Sequence, residues 1–340
     1  TYVFETMNIY KKKSINNSLR LNSIANYFIE LTDKNDFIKL HKFIKNKNLP
    51  VLVIGEGTNV VLPDIYEGIV VKPNFNEINF NEHNNTISAG SSVNWHEFVI
   101  HTINNNMVGF ENLSSIPGSV GASPIQNIGA YGQEVSNLIE SVDCYDYINN
   151  EFISLNNEDC NFSYRDSIFK KNNLLIYKLN FYIDSHKEHN LEYDSIKKYM
   201  TSNSIDPKKI STRDVSRMIS DIRSITLPDP IEVPNAGRFF NNNVIKKSDI
   251  KLNKFSLDEL VIWEIDSEKV KVGSARLIEL IKNDLTKFDN VDIYENHSLV
   301  LITNKNANQK NVIDFAEHIK EKIYDTFHIT LEIEPTVISN

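Results

Sequence analysis

The chain has 340 residues, enough for two or three domains with substantial hydrophobic cores. Hydrophobic residues make up 41% and charged residues 24%, which is ordinary for a soluble globular protein. The net charge of -9 excludes a general nucleic-acid or anionic-membrane binder, and no apolar run approaches the roughly 20 residues of a membrane-spanning helix.

Helical spacing of apolar residues predicts six helices, over residues 36–48, 92–104, 212–222, 257–262, 275–281 and 311–327. Alternating or continuous apolar runs predict strands over residues 51–54, 68–72, 86–89, 141–146, 151–155, 174–183, 298–303 and 328–333. Residues 185–210 are polar and indicate an exposed insertion centred on Tyr193. The pattern predicts an α+β fold with much β structure.

The first residues do not resemble a signal peptide, because a basic region followed by an apolar one is missing. Cys144 and Cys160 are too few for a disulfide framework and are expected to be buried thiols. These features predict a cytoplasmic location.

The motif Gly55-Glu56-Gly57-Thr58-Asn59 follows a predicted strand and begins like a dinucleotide-binding fingerprint. Its third glycine is missing, and Pro63 is incompatible with the helix that would have to follow. The classical nucleotide-binding βαβ unit is therefore excluded here. The two glycines can still hold a pyrophosphate on backbone amides, and a plain turn is the alternative.

Residues 109–134 contain five of the eleven glycines of the chain, interspersed with small side chains. Glycines let backbone N–H groups approach a ligand closely, and such groups bind phosphate. A tight structural loop explains the same composition, and the spacing alone does not decide between these two interpretations.

Two further stretches carry candidate functional residues. Arg165 lies among aromatic side chains, which favours an ordered guanidinium; a structural pair with Asp166 is the alternative. Gly237 is followed within three residues by Phe239 and Phe240, which fits backbone close to a flat ligand or a turn leading into a core strand.

These motifs occur together, in the order 55–59, 115–132, 164–170 and 235–240. In this combination the chain resembles the UDP-N-acetylenolpyruvoylglucosamine reductase family, also called UDP-N-acetylmuramate dehydrogenases. The form that it resembles carries an extra insertion with a tyrosine, here around Tyr193. The likeness spans nearly the whole chain and weakens after Arg238.

The resemblance implies a flavoprotein with an FAD-binding fold of the vanillyl-alcohol-oxidase (PCMH) type. FAD would lie between lobes formed by residues 1–70 and 71–216, and residues 217–340 would form a third lobe for a nucleotide-sugar substrate. The residues that would bind FAD are Gly55, Glu56, Gly57, Thr58, Asn59, Ser115, Ile116, Pro117, Gly118, Val120, Gly121, Ser123, Gln126, Asn127, Ile128, Gly129 and Tyr131.

In that family NADPH reduces FAD, and the flavin then gives a hydride to the enolpyruvyl double bond. An arginine and a glutamate polarise the substrate carboxylate, and a serine protonates the neighbouring carbon. Arg165 matches the position of the arginine. The resemblance further implies substrate contacts by Tyr164, Tyr193, Arg223 and Asn242, a monomeric protein, and no metal.

The substrate half departs from the family pattern. Arg238 stands where the proton-donating serine is expected, and an arginine is a poor acid at neutral pH. The glutamate aligns with Thr336 when the match is made on Pro335, and with Glu334 when it is made on Leu331. Thr226 replaces a lysine expected to bind substrate phosphate.

Three hypotheses follow from an intact FAD half and an altered substrate half. The chain is a working enolpyruvyl reductase of peptidoglycan synthesis with another proton donor. Alternatively, it is a repurposed flavoenzyme for a different anionic or nucleotide-sugar substrate, with Arg238 binding the anion. The last is a catalytically inactive FAD-binding homologue.

Overall fold

The computed structural model describes residues 7–184 and 186–340, which form six α-helices and nineteen β-strands. The helices are α1 (Asn35–Lys47), α2 (Trp95–Asn104), α3 (Asp194–Ser202), α4 (Thr212–Thr226), α5 (Ser274–Ile281) and α6 (Gln309–Phe327). The strands are β1 (Asn8–Ser14), β2 (Ile24–Leu31), β3 (Val51–Val53), β4 (Val60–Val61), β5 (Ile65–Pro73), β6 (Ile78–Asn81), β7 (Thr86–Gly90), β8 (Gly129–Ala130), β9 (Gln133–Glu134), β10 (Ile139–Asp146), β11 (Glu151–Asn156), β12 (Leu174–Tyr182), β13 (Asn235–Arg238), β14 (Val244–Lys246), β15 (Ile262–Glu264), β16 (Lys269–Val272), β17 (Val291–Ile293), β18 (Val300–Thr303) and β19 (Thr336–Val337).

The chain folds as two compact units. Among the described residues, unit 1 comprises residues 7–13, 25–56 and 67–224, and unit 2 comprises residues 14–24, 57–66 and 225–340. The predicted boundary between residues 216 and 217 falls inside α4, which stays in unit 1 up to residue 224. The division into three lobes stays a prediction.

A five-stranded antiparallel sheet with the order β11-β10-β12-β7-β6 is the framework of unit 1. Helix α2 packs on this sheet because its apolar residues recur on one side, as helical spacing predicts. The ring centroid of Phe98 lies 5.0 Å from that of Phe181 on β12. Asn94 caps the helix, since its side chain accepts the N–H of Glu97.

A second sheet, with the order β1-β2-β5-β3, has β3 parallel to β5. Helix α1 contributes Phe37 to the core of unit 1, where its ring lies 4.8 Å from Tyr145 and 5.6 Å from Phe75. These two helices and most predicted strands of unit 1 are confirmed within a few residues at each end.

The insertion is more than an exposed polar segment. Within it, Ile196 and Met200 of helix α3 are buried against Val215 and Ile219 of α4. The prediction of an exposed insertion therefore holds for most of the segment and is wrong for Ile196 and Met200, because these two apolar residues are four apart and share one helix face. Helix α4 begins as predicted, with Ser211 and Asp214 bonded to each other.

Unit 2 has its core around helices α5 and α6. Two antiparallel three-stranded sheets, β13-β18-β17 and β14-β16-β15, belong to this unit, as does the parallel pair β4-β19. Helix α6 is capped by Asn308, whose side chain accepts the N–H of Asn311.

Two elements predicted in unit 2 are wrong. Residues 257–262 form only one 3-10 turn, Leu257–Glu259, and Ile262 then pairs with Val272 as part of β15. Residues 328–333 contain no strand, and only Ile333 forms a bridge, with Phe240. In both cases the apolar run was short, and pairing with distant residues decided its conformation.

Both cysteines are buried free thiols, as predicted. Burial raises the pKa of the Cys160 thiol to about 12, and burial also raises the pKa of Cys144. Across the described residues, no helix is both long enough and apolar enough to cross a membrane.

The two tryptophans of the chain provide a test of the core of unit 1. Trp95 is 1% exposed and its ring N–H donates to the Leu113 carbonyl at 2.9 Å. We expect Trp95→Phe to lower the free energy of unfolding by about 2 kcal/mol, because it leaves a small cavity and an unpaired carbonyl. The matched control is Trp263→Phe, since Trp263 is 47% exposed and its replacement should change stability by less than about 0.5 kcal/mol. Equal denaturant midpoints for the two variants would contradict this account.

Candidate functional site

The glycine-rich stretch forms a chain of short turns in unit 1. It contains the 3-10 turns Glu111–Leu113, Val120–Ala122 and Val135–Asn137 and the strands β8 and β9. The first turn of α2 holds it, because the backbone N–H of Trp95 donates to the Gly118 carbonyl at 2.9 Å and the ring N–H donates to Leu113.

The structure brings Gly55 against this stretch. A Cβ at Gly55 would lie 2.6 Å from Ser119 Oγ, and a Cβ at Gly121 would lie 2.5 Å from the Cβ of Ser91. At Gly121 the nearest atoms include the backbone of Ser91, so glycine is required by the close approach of two backbone segments. At Gly55 the nearest atom is the Ser119 hydroxyl, which would have to turn away to admit a side chain. Gly55 and Ser119, which are 64 positions apart in sequence, thus meet in one place.

Several polar groups at this meeting point have no protein partner among the described residues. The backbone N–H groups of Gly118 and Ser119 donate to no protein acceptor, and Ser119 Oγ is buried without a hydrogen bond. The buried amide oxygen of Gln126 is also unpaired. Backbone N–H groups and a hydroxyl are donors for a diphosphate, and an amide oxygen accepts an N–H such as that of a flavin ring. The residues present therefore fit FAD.

The N–H and the hydroxyl of Ser115 both form hydrogen bonds within the protein. Its backbone N–H donates to Nδ1 of His96 at 3.0 Å, and its hydroxyl lies 2.7 Å from that of Ser220 on α4. A direct contact of Ser115 with FAD stays a prediction, but both of its donors already face protein atoms. The sequence offered no signal for this role of His96.

The other predicted FAD residues of unit 1 include apolar ones. Val120 is fully buried, and Ile116 and Ile128 pack against the same core. The hydroxyl of Ser123 donates to the Val120 carbonyl at 2.7 Å. These side chains pack into the core or bond the backbone, and so they fix the conformation of the glycine-rich stretch.

Arg165 has an ordered guanidinium, as predicted. Its Nη2 donates to the Gly129 carbonyl at 2.8 Å and its Nη1 to the Asn127 carbonyl at 3.4 Å. The guanidinium carbon also lies 5.2 Å from the Tyr164 ring centroid. Asp166 instead forms an ion pair with Lys170 at 3.6 Å.

Asn127 is the buried centre of this arrangement. Its side-chain N–H groups donate to Glu134 Oε2 and to the Ser163 carbonyl, both at 3.0 Å, and its amide oxygen accepts from Ser136. Asn127 therefore joins the glycine-rich stretch to the segment that carries Arg165.

The predicted substrate residues of unit 1 lie in different environments. Tyr193 packs edge-on against Tyr131, with ring centroids 5.6 Å apart, and Tyr164 is exposed beside Arg165. Arg223 lies in the last turn of α4, and its charge acts on His96. Their contact with substrate stays a prediction.

The remaining candidates lie in unit 2. Gly57 has φ +66°, and the Asn59 carbonyl accepts the N–H of Thr336 at 3.0 Å. The side-chain oxygen of Asn242 accepts the N–H of Ser274 at 3.0 Å, so one end of its amide serves the start of α5.

Arg238 is the last residue of β13 and is exposed. Within the described part of the chain its side chain forms no hydrogen bond or ion pair, while its backbone pairs with Val300 of β18. Phe239 and Phe240 are buried in the core of unit 2, with ring centroids 5.4 Å apart. The neighbouring strand therefore leads into the core, as one of the two interpretations predicted.

Glu334 and Thr336 follow Ile333, which pairs with the residues directly after β13. The N–H of Glu334 donates to the Phe239 carbonyl at 2.9 Å, and Ile333 bridges Phe240. Thr336 is exposed and pairs with Val60 in β4. The catalytic assignment of either residue stays a prediction.

His297 is a neighbour of Arg238 that the sequence analysis did not single out. Its Nδ1 accepts the backbone N–H of Leu299 at 3.1 Å. Burial, and then the positive charge of Arg238, lower the pKa of His297 to about 4, against an opposing effect of Glu279. His297 is therefore neutral at pH 7.

Comparison with protein families gives two matches. The sequence model for the FAD binding domain matches residues 25–151. The model for the C-terminal domain of UDP-N-acetylenolpyruvoylglucosamine reductase matches residues 229–338. The two matches cover both the glycine-rich stretch and the segment around Arg238.

Individual relatives match over almost their whole length. The chain is 35% identical to the UDP-N-acetylenolpyruvoylglucosamine reductase of Bdellovibrio bacteriovorus over 332 residues, covering 95% of this chain and 96% of the relative. It is 33% identical to the enzyme of the same name from Neisseria gonorrhoeae over 328 residues, covering 94% of each.

A solved structure shares the fold. The UDP-N-acetylenolpyruvylglucosamine reductase of Thermus caldophilus matches 98% of this chain and 100% of its own, with a TM-score of 0.66 and 15% identity. Together with the FAD-domain match, this confirms the predicted α+β architecture with an FAD-binding fold of the PCMH type.

The low pKa of His297 predicts a pH effect on stability. The folded state disfavours its protonation, so the contribution is complete above pH 6.5 and is lost as the pH falls through about 4. The variant His297→Asn keeps an acceptor for Leu299 but does not titrate. As the pH falls through this window, we expect its free energy of unfolding to decrease by up to about 3 kcal/mol less than that of the parent chain. Urea unfolding of both proteins at a series of pH values measures the difference, and parallel curves would refute the assignment.

Proposed function

Since the chain belongs to the UDP-N-acetylenolpyruvoylglucosamine reductase family, we propose that it reduces the enolpyruvyl group of UDP-N-acetylglucosamine enolpyruvate. FAD is its cofactor and NADPH its electron donor. The reaction would place the chain in peptidoglycan synthesis.

One observation in the structure carries this proposal. Gly55 lies against the Ser119 hydroxyl, and the N–H groups of Gly118 and Ser119 beside it have no protein acceptor among the described residues. A diphosphate needs such donors, because each of its oxygens accepts hydrogen bonds while its charge must be compensated. Gly55, Gly118, Ser119 and Gly121 would hold the diphosphate of FAD, and Gln126 would face its ring system.

FAD supplies the hydride for the enolpyruvyl double bond when it is bound. Arg165 supplies fixed positive charge, because the carbonyls of Gly129 and Asn127 orient its guanidinium before substrate arrives. A preorganised cation stabilises the negative charge that develops on the substrate carboxylate and costs no reorganisation during the reaction. Tyr164, which lies against that guanidinium, would help to position the substrate.

The proton that completes the reduction must come from a group other than a serine at position 238. Arg238 is permanently charged and does not release a proton near neutral pH. Glu334 is the candidate in unit 2, because its backbone is bonded to Phe239, the residue next to Arg238. Water and Tyr193 are the other candidates.

The two half-reactions test the function directly. We expect NADPH to bleach the flavin absorbance of the anaerobic protein, and UDP-N-acetylglucosamine enolpyruvate to restore it. Stopped-flow absorbance measures both steps. If NADPH bleaches the flavin normally but this substrate does not reoxidise the reduced flavin, the chain is not an enolpyruvyl reductase.

Replacing Arg238 tests the departure from the family pattern. We expect Arg238→Ser to raise kcat for enolpyruvyl reduction by about tenfold or more, because a hydroxyl can pass on a proton and general acid catalysis commonly contributes 10² to 10⁴. Arg238→Ala is the matched control, since it removes the same bulk and charge without adding a hydroxyl, and it should give a smaller gain. An unchanged or lower kcat in the serine variant would show that Arg238 has a positive role.

A second candidate function rests on the exposed guanidinium of Arg238. An unpaired cation beside an open turn at Gly237 suits an anionic group on a different substrate. This reading would make the chain a flavoenzyme for another anionic or nucleotide-sugar substrate, or an inactive FAD-binding homologue. Reoxidation of the reduced flavin only by substrates other than the enolpyruvyl compound would favour it.

Three narrower assignments complete the proposal. Tyr193, Arg223 and Asn242 would contact the nucleotide-sugar. We also propose a cytoplasmic, monomeric enzyme, which sedimentation of the purified chain can test for its oligomeric state.

A further inference from the structure

The segment from Leu113 to Gly118 is held from two sides within unit 1. Helix α2 holds it through Trp95, which bonds both ends of the segment, and through His96, which accepts the Ser115 N–H at 3.0 Å. Helix α4 holds it through hydroxyls, since Ser216 lies 2.7 Å from Ser114 and Ser220 lies 2.7 Å from Ser115.

The directions of these hydroxyl bonds follow from their neighbours. Ser220 O–H donates to the Ser216 carbonyl one turn earlier at 2.9 Å, so its single proton is used. The Ser115 O–H must then be the donor to Ser220 Oγ. Both donors of Ser115, its N–H and its O–H, are therefore bound by His96 and Ser220.

These two bonds act on a residue with an unfavourable backbone conformation. Ser115 has φ +58°, in the left-handed region that side chains other than glycine rarely adopt. This residue precedes Gly118 and Ser119, whose N–H groups have no acceptor in the described part of the protein. Relaxation of Ser115 to an ordinary φ would redirect the backbone that follows it.

We propose that His96 and Ser220 are positioning residues for FAD: they hold Ser115 in the left-handed conformation and thereby aim the N–H groups of Gly118 and Ser119 at the FAD diphosphate. Neither side chain needs to touch the cofactor. The inference rests on the proposed function only for the identity of the ligand.

The bond from Ser115 requires a neutral His96. Nδ1 accepts the Ser115 N–H, so the proton of the neutral ring is on Nε2. A second proton on Nδ1 would point at the Ser115 N–H and break this hydrogen bond. Burial lowers the pKa of His96 first, Glu97 on the same helix raises it, and Arg223 on α4 lowers it. FAD affinity should therefore fall when acid protonates this ring.

The experiment measures the FAD dissociation constant of the full chain, stripped of flavin and titrated with FAD under ultrafiltration. His96→Phe removes the acceptor, and His96→Asn keeps an oxygen close to the position of Nδ1. The matched control is His101→Phe, because His101 lies on the same helix and its ring has no hydrogen bond among the described residues. Each variant is first checked for folding by thermal unfolding without FAD.

We expect His96→Phe to raise the dissociation constant by about tenfold or more, because a donor is left unsatisfied, and His96→Asn and His101→Phe to change it less than about threefold. As the pH falls below 6.5 the parent chain should lose affinity while His96→Asn does not. Equal dissociation constants for His96→Phe and His101→Phe, or the same pH dependence in the parent and His96→Asn, would overturn the proposal.

A second pair keeps the test decisive if His96→Phe does not fold. Ser220→Ala removes the acceptor for the Ser115 hydroxyl, and Ser220→Thr retains it. Ser224→Ala is the control on the same helix, since its hydroxyl bonds only the Asp221 carbonyl. Weaker FAD binding in Ser220→Ala alone supports the proposal, and equal binding in all three rejects it.

A parent chain that binds no FAD would refute the proposed function itself, whereas FAD binding unaffected by these variants would refute only the positioning role.

Discussion

The close approach of Gly55 to the Ser119 hydroxyl is the constraint on which the candidate cofactor site depends. A Cβ at position 55 would lie 2.6 Å from that oxygen, so a side chain there would have to displace the Ser119 hydroxyl. The approach places bare N–H groups and a buried hydroxyl together where water is largely excluded. Polar groups left unpaired in such a place are unfavourable unless a ligand satisfies them. The unpaired groups at this contact therefore account for the expected affinity for a diphosphate.

Around this contact the protein uses its own polar groups to fix the backbone rather than to bind a ligand. His96 and Ser220 take the two donors of Ser115, and Asn127 uses its whole amide to join the stretch to the Arg165 segment. Networks of this kind are favourable only when every member is satisfied, so single replacements should act on several neighbours at once. Positioning and binding are thus divided between different residues of one short stretch.

Unit 2 presents a different electrostatic environment. Arg238 adds an exposed positive charge at the end of β13, and it contributes to the low pKa of His297. A serine at position 238 would carry no such charge and would offer a proton. The substitution therefore changes both the charge and the proton chemistry of this segment, while the hydrophobic core formed by Phe239 and Phe240 is unaffected.

Local sequence was sufficient for the long amphipathic helices, for the main strands of unit 1 and for the exclusion of a classical βαβ unit at Gly55, because these depend on periodicity and on Pro63. The order of the motifs along the chain was sufficient to predict the family and the FAD cofactor. Only the tertiary structure decided that residues 257–262 become a turn and a strand, and that the insertion buries Ile196 and Met200. It alone also showed that His96 accepts the Ser115 N–H and that His297 lies near Arg238. Each of these depends on a partner far away in sequence, and the energy of a long-range contact is not encoded in the local pattern of either partner.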